Sequence, residues 1–168
     1  MIVKAIALAL ILLSTLGFSA RAVRPFQMRV RTLEQWQQLV LHLVPLIEWR
    51  LTPLPQALME GARGRGQVEL GVAWLTNELS QGEGGFFELW QQMLANDPHL
   101  WADDRAVLAE LGRGLGVSGV NFQHDHLMAT HHELERLCAD ARTQWAKDGR
   151  MLGALVGAAG VMVVILML

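Results

Sequence analysis

The sequence predicts an all-α protein: about six helices in a cytosolic bundle, with a hydrophobic membrane helix at each terminus. Three observations predict it. Apolar residues recur at three- and four-residue steps through most of the middle of the chain. No alternating, strand-like pattern of useful length interrupts them. Both ends are long runs without charge, from Ala5 to Ala20 and from Met151 to Leu168. The chain of 168 residues divides accordingly into an N-terminal transmembrane segment (1–20), a cytosolic helical bundle (21–150) and a C-terminal transmembrane segment (151–168).

The first run reads AIALALILLSTLGFSA, with Lys4 before it and Arg21, Arg24, Arg29 and Arg31 after it. A spanning helix needs roughly 20 apolar residues, about 17 at the low end. Met1 to Val3 supply the balance if Lys4 snorkels to the headgroups. A cleaved signal peptide is the competing reading, with Ser19-Ala20-Arg21-Ala22 as a loose small-residue site; cleavage would make the chain a secreted or surface adaptor. The arginines argue against it, because positive charge just past an apolar run retards translocation and marks the cytoplasmic side. The last run, MLGALVGAAGVMVVILML, follows Lys147 and Arg150 and carries Gly153 and Gly157 at GxxxG spacing. That spacing suits close helix approach in a membrane, or simple helix flexibility. Basic residues at both inner ends place the bundle in the cytosol.

In the bundle, Pro25 suits the first position of a helix. Phe26, Val30, Leu33, Trp36, Val40, Val44, Ile47 and Leu51 give it an apolar stripe to about residue 51, with a kink expected at Pro45. Thr52 is placed to cap a second helix and Pro53 to sit in its first turn, with Ala57, Leu58 and Ala62 following. Val68 to Ser80 reads as a third helix with Val72, Leu75 and Leu79 on one face. Gln81 to Gly85 (QGEGG) is a loop by composition. Phe86 to Ala95 carries Phe87, Trp90 and Leu94 before Asn96-Asp97-Pro98 ends it. Asp103 and Asp104 suit the positive start of a fifth helix, whose stripe is Val107, Leu108, Leu111 and Leu115. Gly112, Gly114 and Gly116 weaken its end. Ser118 is a plausible cap for a last helix from about 119, with Leu127, Leu134, Cys138, Ala141 and Trp145 in line, running on into the C-terminal apolar segment.

A formal net charge of -2 gives no footing for nucleic acid. A single cysteine, Cys138, excludes an intrachain disulfide and any multi-cysteine metal site, and its place on the apolar stripe reads as packing. His124, His126, His131 and His132 form the densest polar cluster. On a helix His124 and His131 share a face, while His126 points about 160° away at roughly 100° per residue. One metal cannot take all four. The main reading is a solvated surface, and the alternative is a histidine-based metal site on His124 and His131. The six tryptophans spread over most helices as packing and membrane-interface groups. GARGRG (61–66) lacks the ending of a phosphate loop. No residue set supports catalysis, a cofactor or a small-molecule substrate, so the expectation is a protein that is not an enzyme.

Several segments carry a resemblance. Thr52-Pro53-Leu54-Pro55-Gln56-Ala57-Leu58 is similar to the TPLPEAL segment of the stage III sporulation protein AB family. Trp90 lies on a helix after a Gly-rich loop, as in that family. Leu111 to Ser118 (LGRGLGVS) resembles its LGxxLGxS segment, with Gln123 beyond, and Arg150-Met151-Leu152-Gly153 resembles the opening of its terminal hydrophobic helix. The order and spacing of these motifs cover essentially the whole chain. Gln56 in place of a frequent Glu, and Gly119-Val120-Asn121 where charged residues are usual, are the departures.

The resemblance implies a membrane component of the channel complex joining mother cell and forespore. It also implies a bundle similar to the cytoplasmic domain of the type II secretion platform protein. Its cytosolic partner would be a secretion-type ATPase, the AA protein of the same complex, and its bundle would face the mother-cell side of the outer forespore membrane. A platform needs anchorage and contact surfaces. Thr52, Pro53, Pro55, Gln81 and Glu83 are the candidate contact residues, against the plainer reading of capping and connection.

Overall fold

The computed structural model describes the backbone of residues 2–82, 84–115 and 120–167. Side chains are described for 24–47, 49–82, 84–115 and 124–148, and for Met151, Ala154 and Ala158. The described chain is all-α, with six helices: α1 (Ile2–Glu48), α2 (Leu54–Ala62), α3 (Gly66–Gln81), α4 (Phe86–Asn96), α5 (Ala102–Leu115) and α6 (Val120–Met167). Two compact units share α1 and α6. One comprises Met1–Met28 with Asp140–Leu168, the other Arg29–Ala139.

The side chains of the apolar runs expected to span a membrane, 1–20 and most of 151–168, lie outside the described residues, as do Ser118 and Glu83. Among the described residues no helix is long and apolar enough to cross a membrane. The last helix does continue unbroken into the C-terminal run, as its pattern predicts.

The Arg29–Ala139 unit holds the core. From α1 it buries Val30, Leu33, Trp36, Leu39, Val40, Leu43, Leu46 and Ile47, a broader face than the single predicted stripe. α2 lies against that face: a Cβ on Gly61 would stand 3.6 Å from a Leu43 methyl. α3 then packs on α2 and α4, and α4 on α5. The predicted lines of α3 to α5 are buried at Val72, Leu75, Trp90, Leu94, Leu108, Leu111 and Leu115, while Leu79 and Val107 are half-buried. From α6 come Leu127, Leu134, Leu137 and Cys138. In the other unit Ala141 is buried and Trp145 is 39% exposed, so the predicted line leaves the core at its last member.

Three local expectations are corrected. Pro25 does not start a helix; α1 runs through it from Ile2. A proline inside a helix removes one backbone donor and crowds the carbonyl four residues back, a cost that α1 bears here without ending. α1 then ends at Glu48, three residues past Pro45. Thr52 does not cap α2. Pro53 is the N-cap residue, with ψ of 137°, and no side-chain hydrogen bond closes the end. With Pro55 in the first turn, one orphan donor is already missing, so less capping is required. Gln81 belongs to α3, whose left-handed cap is Gly82 (φ 77°).

Two close approaches register the bundle. Trp90 is fully buried, meets Trp36 edge-on at 5.6 Å between ring centroids, and donates its indole N–H to the Leu108 carbonyl at 2.7 Å. A Cβ on Gly112 would lie 2.3 Å from Trp90 Cδ1, and one on Gly114 2.0 Å from His126 Cδ2. These glycines do not loosen the end of α5. They let α4 and α6 press against it.

Candidate functional site

The α1–α2 turn is the part of the bundle least explained by packing. Trp49 is 83% exposed and Leu51 73% exposed. Leu51 is also the one described non-glycine residue with positive φ, at 48°. A left-handed conformation costs a side-chain-bearing residue about 1–2 kcal/mol. Glycine or asparagine commonly takes that position after a helix. The turn is nonetheless well defined. Trp49 N–H donates to the Pro45 carbonyl at 3.2 Å, and Thr52 N–H to the Leu46 carbonyl at 3.1 Å. Arg50 pairs with Glu60 of α2 at 3.0 Å, both half or more exposed. A held turn that presents Trp and Leu to solvent at a cost in backbone strain is the pattern of a contact site.

Thr52 is half-buried beneath this surface, and Pro53 and Pro55 are exposed on its α2 side. Gln81 is exposed at the end of α3. The candidate contact residues therefore fall at two places, the α1–α2 turn and the end of α3. The strongest apolar features of the turn, Trp49 and Leu51, were not among them. Leu51 falls on the α1 stripe by spacing, and the end of the helix at Glu48 leaves it exposed.

A second feature is a groove of about 300 Å³ between the first half of α3 and the end of α4. Val68, Gly71, Trp74, Met93 and Leu94 line it, with Trp36 of α1 among them and Asp97 at its lip. Leu70, on the same rim, is 65% exposed. The indole nitrogen of Trp36 is buried and finds no acceptor among the described residues.

Charge is buried near the middle of α1. Arg29 (4% exposed) forks onto Asp104 (0% exposed) through Nε and Nη2, each 2.8 Å from a carboxylate oxygen. Asp104 Oδ2 also accepts from the Trp101 N–H at 2.9 Å, half of a capping box at the start of α5. The guanidinium lies 4.0 Å from the Trp101 ring centroid. In sequence Arg29 marks the cytosolic side of an apolar run and Asp104 suits a helix start; in the structure they pair with each other. A second buried guanidinium, Arg65, donates to the Gly61 carbonyl and stands 2.9 Å from His42 Nδ1.

The histidines are not gathered. His126 Nε2 is 3.0 Å from the Glu110 carbonyl, His132 faces Glu135 at 3.8 Å, and the His131 and His132 rings are 5.9 Å apart. Among the described residues no group of three or more His, Cys, Asp or Glu side chains is placed to hold a metal ion.

Comparison with known proteins adds the following. The family model described as stage III sporulation protein AB matches residues 4–168. A solved structure titled "Stage III sporulation protein AB (SpoIIIAB)" superposes with a TM-score of 0.61 at 24% identity, covering 70% of this chain and 96% of that one, a likeness of fold. No curated protein matches.

Proposed function

The chain belongs to the stage III sporulation protein AB family, and on that premise we propose that it is a non-enzymatic membrane platform of the complex joining mother cell and forespore. Its two apolar ends anchor it in the bilayer. The arginine-flanked bundle faces the cytosol on the mother-cell side of the outer forespore membrane, where it contacts the AA ATPase and other stage III sporulation A proteins. The observation that carries the platform reading is the α1–α2 turn. Trp49 and Leu51 are held in the open by a hydrogen-bonded and strained backbone. Thr52, Pro53 and Pro55 continue the same contact surface, and Gln81 and Glu83 form a second, polar one suited to the ATPase.

The full chain, solubilised from sporulating cells and used as bait, is expected to retain the AA ATPase. Trp49→Ala is expected to weaken the assembly without lowering the chain's own stability, because its side chain is almost wholly exposed. Deletion is expected to block sporulation. Normal spores from a deletion strain overturn the role. Protease digestion that places the bundle on the far side of the membrane overturns the orientation.

A further inference from the structure

The exposed turn and the α3/α4 groove have complementary properties. The turn offers one large aromatic and one aliphatic side chain, with Arg50 between them, 66% exposed. The groove is apolar, has a volume of about 300 Å³, and carries Asp97 as the one charged residue among those that line it. Apolarity and sign of charge therefore match, with Arg50 exchanging its exposed pair with Glu60 for one with Asp97. The Trp36 indole N–H beside the groove is buried and finds no acceptor among the described residues.

A chain cannot fill its own groove. Trp36 and Trp49 lie 13 residues apart along and just past α1, about 20 Å at 1.5 Å per residue. Trp36 is buried in the bundle, and the Trp49 backbone is held by its bond to the Pro45 carbonyl. A Trp49 side chain can therefore reach the groove only from a second molecule.

We infer that the α1–α2 turn of one copy seats Trp49 and Leu51 in the α3/α4 groove of a second copy, with Arg50 against Asp97. The inference rests on the reading of the turn as an assembly contact and names its partner. The contact is head-to-tail. Each copy that joins leaves one turn and one groove unfilled, so further copies add until a ring closes.

The test uses the full chain in detergent micelles with the buried Cys138 replaced by Ala. Differently tagged batches carry Leu51→Cys or Asn96→Cys, the second on the groove lining, and Trp49 is kept in both. Mixed and oxidised, they are expected to give 51–96 cross-links well above 51–51 and 96–96. The yield should fall about tenfold when Trp49→Ala is added to the Leu51→Cys batch, as for the loss of an interface anchor. Arg50→Asp in the turn batch should lower it, and Asp97→Arg in the groove batch should restore it. Unchanged thermal unfolding of Trp49→Ala separates loss of contact from loss of fold. A predominance of 51–51 pairs, no cross-link above background, or a 51–96 yield indifferent to Trp49→Ala overturns the inference. In those cases, retention of the AA ATPase and other stage III sporulation A proteins by the Trp49→Ala chain decides the broader reading. Loss of retention leaves the turn as a contact for another protein, and full retention removes the turn from the assembly altogether.

Discussion

Replacing Asp104 by Ala removes a carboxylate that accepts three hydrogen bonds: two from Arg29 and one from the Trp101 backbone. What remains is a guanidinium 4% exposed that has lost its bidentate carboxylate, and an uncapped first turn of α5. Breaking a buried pair from one side costs about 3–5 kcal/mol, far above the 0–1 kcal/mol of an exposed pair such as Arg50–Glu60. Each kcal/mol lowers the Tm of a chain of this size by about 2–4 °C. A loss near 4 kcal/mol therefore appears as about 8–16 °C. The assay is thermal and urea unfolding of the full chain in micelles, followed by circular dichroism and tryptophan fluorescence, over a complete double-mutant cycle. Arg29→Met alone should cost a similar amount. Arg29→Met with Asp104→Leu should cost much less than the sum, because two apolar side chains fill the site without stranding a charge. Additive single losses below about 1 kcal/mol would show the pair to be no stronger than a surface contact, and the reasoning from burial would fail.

Gly112→Ala should cost about 3 kcal/mol in the same assay, because its Cβ would stand 2.3 Å from a fully buried Trp90 that has no room to retreat. Gly64→Ala is the control; nothing lies within 4 Å, so only the positive φ of 76° is felt, at about 1 kcal/mol. Leu51→Gly should leave the chain as stable or gain up to about 1 kcal/mol through relief of its φ of 48°, while Leu51→Val should lose stability. His126→Ala should cost about 1–2 kcal/mol through the lost contact with the Glu110 carbonyl and the ring that covers Gly114. Zinc titration should show no stoichiometric site, since His124 and His131 on one helix face offer two ligands where a structural zinc takes four.

Most of the helices were legible because burial repeats with the helical period. Leu33, Trp36 and Val40, then Val72 and Leu75, then Leu108, Leu111 and Leu115 each fall inside as their spacing requires. Features that depend on tertiary contact were not legible. Arg29 is one of four arginines after an apolar run, and nothing local distinguishes the one that meets Asp104 75 residues away. Gly112 and Gly114 read as helix breakers, since a sequence does not show which ring lies against a missing Cβ. The turn was half legible. Its prolines marked a break, but the outward position of Leu51 depends on where α1 stops. A shift of three residues decides between a core side chain and a presented one. Thr52 illustrates the same limit: its capping chemistry was sound, and the φ and ψ of Pro53 took the position instead.

The Arg29–Asp104 pair also sets an order of events during synthesis. Arg29 leaves the ribosome 75 residues ahead of its partner, an interval of about 4–15 s at bacterial elongation rates of roughly 5–20 residues per second. Throughout it the α1 guanidinium has no Asp104 to fork onto, and burying a cation without its partner costs far more than burying the pair. Arrival of Asp104 closes the first turn of α5 and discharges that cation at one stroke, so the nascent bundle gains this lock only after α1 to α4 have left the exit tunnel and before α6 follows.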